Sequence, residues 1–176
     1  MSSNFTLLHD EAIECFGYKF YGTAWQPEFG DWAFGLGRGA ACRAAFEAIP
    51  EDTDVLVTHT PPVGYGDFCN GHLGCVDLLY RVAHIKPKYH LFGHIHEGYS
   101  VTTSTLNIGL PLLAFLLFSN LFCLIVCATC CARANVMFVQ HFSFGPDAST
   151  VFVNSSLLDG EYERRNLPIV FDLPQK

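Results

Sequence analysis

Two short apolar runs end in histidine, and that pattern constrains the fold of this chain more than any other feature. Val55-Leu56-Val57-Thr58 runs into His59, and Tyr89-His90-Leu91-Phe92-Gly93 runs into His94-Ile95-His96. Short apolar runs bounded by Gly or Pro read as buried strands. In an α/β sheet the loops beyond the strand ends are free to converge, and chemistry gathers there. Neutral imidazole is the commonest metal ligand. Three histidines delivered by two such loops therefore point to a metal site built from His59, His94 and His96.

The rest of the chain supplies matching elements. Residues 14–21 alternate around Phe16, Tyr18 and Phe20, which is strand periodicity. Residues 25–39, rich in Gly, Trp and Phe, read as a long loop over the mouth of the site. Residues 40–49 read as a helix stopped by Pro50, and residues 75–84 as an amphipathic helix with Val76, Leu79 and Ala83 on its apolar face. Between them, residues 64–74 hold four glycines and read as loop. Residues 89–92 read as the strand that aims His94, with closing strands at 150–153 and 168–173. Strand, helix and strand in alternation predict an α/β layered fold with two short crossover connections.

The two histidine runs resemble a known family. Val57-Thr58-His59-Thr60-Pro61-Pro62 and Gly93-His94-Ile95-His96 look like the last two metal-binding motifs of the calcineurin-like metallophosphoesterases. Four further stretches resemble its metallophosphoesterase-domain-containing branch: residues 21–29, residues 61–67 (Pro-Pro-Val-Gly-Tyr-Gly-Asp), residues 94–99 (His-Ile-His-Glu-Gly-Tyr) and residues 166–174. The resemblance covers residues 5–100 and 150–174. It implies a partial calcineurin-like β-sandwich flanked by helices. It implies a divalent metal such as Mn²⁺, with His59 and His94 on one ion and His96 on another. It implies a small phosphodiester substrate of the cyclic nucleotide class. Glu97, next to the histidine pair, becomes a candidate acceptor that orients an imidazole.

The same resemblance implies three earlier motifs, Asp-x-His, Gly-Asp-x-x-Asp and Gly-Asn-His, and none occurs in this sequence. Those motifs supply the metal-bridging aspartate and a catalytic histidine. A two-metal site holds its ions about 3.5–4 Å apart, which takes a shared anion, and three neutral imidazoles offer none. The expectation is a C-terminal portion of a phosphoesterase with no catalytic residue assigned and impaired chemistry. The alternative is an inactive partner-binding or membrane-tethered fragment.

Charge and composition narrow the field. The net charge of -7 over 176 residues argues against a nucleic-acid phosphate binder. It leaves a phosphoester enzyme open, because bound metal supplies the positive field. Cys15, Cys42, Cys69 and Cys75 lack the spacing of a disulfide framework and read as reduced thiols of a cytoplasmic protein. The opening Met1-Ser2-Ser3-Asn4 has no apolar leader after it, and the sequons at Asn4 and Asn154 read as chance.

Residues 101–149 stand apart from the flanking domain, residues 1–100 and 150–176. No charged side chain occurs from Val101 to Ala132, and Leu110 to Ala128 approaches the roughly 20 residues that span a bilayer. Pro111, Ser119 and Asn120 interrupt it. Three readings stand: a translated intron or misassembled gene foremost, a membrane helix within 106–132, and a buried helix. In the membrane case Cys130 and Cys131, beside Arg133, are palmitoylation candidates and the protein is membrane-associated. His9, His72, His84, His90 and His141 read as ordinary polar residues, and Asp67 as a turn residue. Trp25, Phe29, Trp32 and Phe34 read as core packing in preference to base stacking.

Overall fold

Phe16 and Gly17 break what the sequence presents as one strand. The computed structural model describes residues 6–104, 140–142 and 150–175, and in it the chain forms a hairpin here. Strand β1 (Glu11–Cys15) runs antiparallel to β2 (Tyr18–Thr23), with Cys15 opposite Tyr18. The two loop residues have φ of 51° and 77°, the positive values a two-residue type I′ turn demands. Alternation persists across so short a turn, so periodicity alone reads straight through it.

Past the hairpin come β3 (Gln26–Pro27) and β4 (Gly35–Leu36), then α1 (Ala40–Glu47), β5 (Val55–Thr58), α2 (Val76–Ile85) and β6 (Tyr89–Phe92). A single 3₁₀ turn (His96–Gly98) leads into β7 (Ser100–Thr103). Strands β8 (Gln140–Phe142), β9 (Val151–Asn154) and β10 (Ile169–Phe171) complete the set. The main sheet has the order β1-β2-β5-β6-β9-β7. Its four central strands, β2, β5, β6 and β9, are mutually parallel, and the antiparallel strands β1 and β7 form its edges. Strand β10 pairs in parallel with β8, and β3 with β4. The α/β class and the two helical crossovers agree with the sequence. All but the first residue of β7, and the whole of β8, lie within the compositionally distinct segment. The rest of that segment, with its intron, membrane and buried-helix readings, lies outside the described residues. Among the described residues no helix is long and apolar enough to cross a membrane.

Period-two alternation divides the core in two. Tyr21, Leu56, Phe92 and Phe152 face Cys42 and Phe46 of α1 and Leu78 and Val82 of α2. On the opposite face Tyr18, Val55, Tyr89, Val151 and Val153 meet Ile169, Phe171 and Leu173, with the Tyr89 and Phe171 rings stacked 4.9 Å apart. With both faces occupied, the parallel strands read as continuous apolar runs.

Helix α2 turns a different face to the core than Val76, Leu79 and Ala83. Val76 is 42% exposed and the buried side chains are Leu78 and Val82, with Cys75 just before the helix. Cys75, Leu78, Val82 and Ile85 repeat at the same helical period, and that stripe carries more apolar volume. Asp77, buried in the first turn of α2, reaches across to α1. It accepts hydrogen bonds from the Gly39 N–H at 3.2 Å and the Arg43 Nε at 3.4 Å. This fixes the start of a helix whose own N-cap position has no side-chain cap.

Phe16 sits 89% exposed in the left-handed region, which costs an ordinary L-residue roughly 1–2 kcal/mol. Asn tolerates that conformation. Phe16→Asn is expected to raise the stability by about 0.5–1 kcal/mol, read as a higher urea midpoint. An unchanged or lower midpoint contradicts the turn assignment.

Candidate functional site

The four parallel strands end at one edge of the sheet, at Thr23, Thr58, Phe92 and Asn154. His59 leaves β5 at this edge. The Gly93 N–H donates to the His59 carbonyl at 3.2 Å, extending the ladder one step beyond the strands. His94 follows with φ of 69°. A non-glycine residue held there is uncommon, and such backbone strain clusters at functional sites. The result is a pair of imidazoles with centroids 4.7 Å apart.

Both rings are neutral. Burial lowers the His59 pKa. Burial, then the neighbouring His59 and His96, lowers that of His94 to about 4. Unprotonated nitrogens are what a metal or a proton donor requires. His96 is oriented differently. Its Nδ1 lies 3.2 Å from the Asp159 carbonyl. A carbonyl only accepts, so Nδ1 carries a proton, which turns Nε2 toward the cleft as the nitrogen left to meet a ligand.

His59, His94, His96 and Glu97 line one cavity of about 450 Å³. The imidazole hydrogen bond that the sequence offers to Glu97 is made by Asp159. Glu97 instead faces the Cys69 thiol, whose pKa it raises through a hydrogen bond. The cavity brings His59 and His94 together, but among the described residues no group of three or more His, Cys, Asp or Glu side chains is arranged to hold a metal ion. Two neutral imidazoles are half a ligand shell, and a complete metal centre does not fit the described residues. A second cavity of about 530 Å³, between α1 and α2, is lined by Arg43, Tyr80 and His84 and shares no residue with the histidine site.

Buried polar groups fix both histidine loops. His90 is fully buried in β6, with Nε2 2.9 Å from Thr58 Oγ1. The Thr58 hydroxyl spends its proton on the Thr60 carbonyl at 2.7 Å. The Nε2–H of His90 must therefore donate to Thr58, which leaves Nδ1 without a partner. This chain braces the bend on either side of His59. Burial lowers the His90 pKa to about 3, so it too is neutral.

Asn154 ties the other loop down. Its Nδ2 donates to the Ile95 carbonyl at 2.8 Å, between the two histidines, and to the Gly66 carbonyl at 2.7 Å. Its Oδ1 accepts from the Ser156 N–H at 3.1 Å. With no exposed surface, this side chain offers no acceptor for a glycan in the folded chain. Gly98 packs so closely here that a Cβ on it would meet the Gly66 carbonyl oxygen at 2.0 Å. Asp67 has the turn role expected of it, accepting from His72 Nδ1 at 2.8 Å and the Gly74 N–H at 3.1 Å.

Sequence reasoning gave no role in the site to His90, read as an ordinary polar residue, to Asn154, read as a chance sequon, or to Asp159 and Tyr162. A histidine inside an apolar run was the available signal for His90. An Asn at a strand end, or a carbonyl oxygen, gives none.

No known family profile matches this chain. It is 35% identical over 175 residues to a UPF0046 protein of Caenorhabditis elegans, covering 98% of this chain and 33% of that protein. It is 32% identical over 176 residues to metallophosphoesterase domain-containing protein 1 of Homo sapiens, covering 98% of this chain and 41% of that protein. The chain thus spans between a third and a half of the length of these curated relatives.

Two outcomes follow from the buried groups. An unfolded histidine takes up a proton near pH 6.5, whereas folded His90 does so only near pH 3 and His94 near pH 4. Between those values the unfolded chain binds more protons, so stability falls as the pH drops, by up to about 1.4 kcal/mol per pH unit for each group. The loss of urea midpoint from pH 7 to pH 5 should shrink in His90→Phe, and an unchanged loss would show that His90 is not held neutral. Asn154→Ala strands the buried Ile95 carbonyl and the partly buried Gly66 carbonyl and should cost about 2 kcal/mol, measured by the same urea titrations.

Proposed function

Because this chain belongs to the metallophosphoesterase-domain branch, we propose that its histidine cleft is part of a phosphoester-hydrolysing site of the phosphodiesterase type. The observation that carries this reading is the His59–His94 pair, neutral and side by side at the carboxyl edge of a parallel sheet. His94 is half-buried there and His59 keeps an exposed face, yet both pKa values are lowered, and holding the rings neutral costs stability as the pH falls. His59 and His94 present free nitrogens to an ion of the Mn²⁺ class, and His96 offers its Nε2 from beside them. The substrate is a small phosphodiester, with cyclic nucleotides the class that the family suggests. The pair β8 and β10, laid against the second face of the main sheet through Ile169 and Phe171, fits the start of a second layer in a calcineurin-like sandwich.

The donor set also argues that the 176-residue chain is a weak catalyst. Glu28 and Glu97 line the cleft with the histidines, but neither joins them in a ligand group. Holding two dications within about 4 Å takes a shared anionic ligand. The described residues supply the neutral half of such a site and leave the anionic half to be provided. The second reading, an inactive partner-binding chain, draws on β1, an edge strand whose residues are almost all exposed. Unpaired edges recruit other strands, although Glu11 and Glu14 blunt this one.

Calorimetry with Mn²⁺ and turnover of bis-p-nitrophenyl phosphate test the proposal together. The chain is expected to bind at most one ion, weakly and in a way that His94→Ala abolishes, with hydrolysis at background. Two tightly held ions with turnover would overturn the weak-catalyst conclusion. Binding untouched by His94→Ala would remove the histidine pair from the site.

A further inference from the structure

Three large aromatic side chains stand around the histidines in the open. Phe29 is 57% exposed, Trp32 54% and Tyr162 67%. All three line the 450 Å³ cavity. The Phe29 and Trp32 rings meet edge to face at 5.5 Å and lie 6.4 and 5.9 Å from the His94 ring. Tyr162 stands across the cleft, 5.0 Å from the His96 ring. Core packing, the use expected of Phe29 and Trp32, is not what these rings do. Trp25 is the contrast: its Nε1 donates to Asp10 Oδ2 and its ring packs on His9 and Phe34.

Rings left in water forgo roughly 25 cal/mol for each Å² of apolar surface they could bury. Polar residues would serve at such loop positions at no cost to the fold. The loop bearing Tyr162 is also held in place. Asp159 Oδ1 accepts from the Glu161 and Glu163 N–H groups, while Arg165 pairs with both Asp159 and Glu161. Tyr162 itself has φ of 62°, a strained conformation for a bulky residue. On the other side the Trp32 N–H closes a turn onto the Phe29 carbonyl at 3.3 Å.

The charges in the cleft add a second constraint. Arg38 is the one guanidinium among the described lining residues, and it donates to the Leu73 and Gly74 carbonyls. Glu28 and Glu97 line the same space. Among the described residues there is no cationic cluster for a polyphosphate chain and no polar wall for a sugar chain.

We propose that Phe29, Trp32 and Tyr162 form a two-sided aromatic wall that selects phosphoesters carrying one flat aromatic substituent over alkyl esters and polyphosphates. The phosphoester reading of the cleft is needed only to name the anionic end of the ligand. The wall itself rests on the exposure and placement of the three rings.

Phenylphosphonate and methylphosphonate, titrated with and without Mn²⁺, separate the two readings. The chain has two tryptophans, so 5-fluorotryptophan labelling gives two ¹⁹F signals, assigned with Trp32→Phe. Phenylphosphonate is expected to bind about tenfold more tightly than methylphosphonate and to shift the Trp32 signal, an advantage of the size ring–ring contacts supply. Trp32→Ala and Phe29→Ala, both at half-exposed positions that leave the melt intact, should bring that ratio close to one. Equal affinity for the two phosphonates overturns the wall, as does binding of neither. A phenyl preference with no response of either affinity to Mn²⁺ upholds the wall and defeats the metal reading.

Discussion

The side-chain amide of Asn154 is the interaction on which the site depends. The loop after β6 and the loop around Gly66 come from different parts of the sequence, and Asn154 is where their carbonyls share a donor. Backbone pairing aligns β9 with β6 but says nothing about the chain beyond Phe92. A buried amide with both hydrogens and its oxygen satisfied holds that segment still. The strained backbone of His94 is affordable because the peptides around it are tied down in this way.

A second constraint is the removal of water from the histidines, complete at His90 and partial at His94, while His59 keeps an exposed face. Burial lowers the pKa of His59, His90 and His94, so each is a neutral base near pH 7. In His90 this neutrality serves geometry, since a fixed tautomer holds Thr58 and Thr60 on either side of His59. In His59 and His94 it leaves lone pairs facing a cavity. The same desolvation makes the pair a poor host for two dications without an anion between them. One physical effect thus accounts for the availability of these rings and for the limit on what they do alone.

The aromatic wall sits at the same edge for a topological reason. Strand β2 ends at Thr23 beside the end of β5, so the long loop that follows it rises next to His59. The loop after β9 rises on the other side, beside His96. Phe29 and Trp32 are 65 or fewer residues from His94 in sequence, and Tyr162 follows an apolar segment of different character. Only the parallel order of the strands brings them round one cavity.

Local chemistry in the sequence was enough for much of this. The apolar runs at Val55–Thr58 and Tyr89–Phe92 gave the two central strands, because a strand buried on both faces must be apolar throughout. The residues after them put His59, His94 and His96 just beyond those strand ends, and the structure brings all three to the lining of one cavity. The break at Pro50 ended the first helix near its observed limit, Glu47. The hairpin at Phe16 escaped, since a two-residue turn preserves alternation, and so did the buried face of α2, where two stripes of equal period compete. Whether Phe29 and Trp32 are core or surface, which group orients His96, and the role of Asn154 were decided only by the tertiary structure. Each depends on contacts between segments far apart in the chain, and composition and spacing carry no record of those distances.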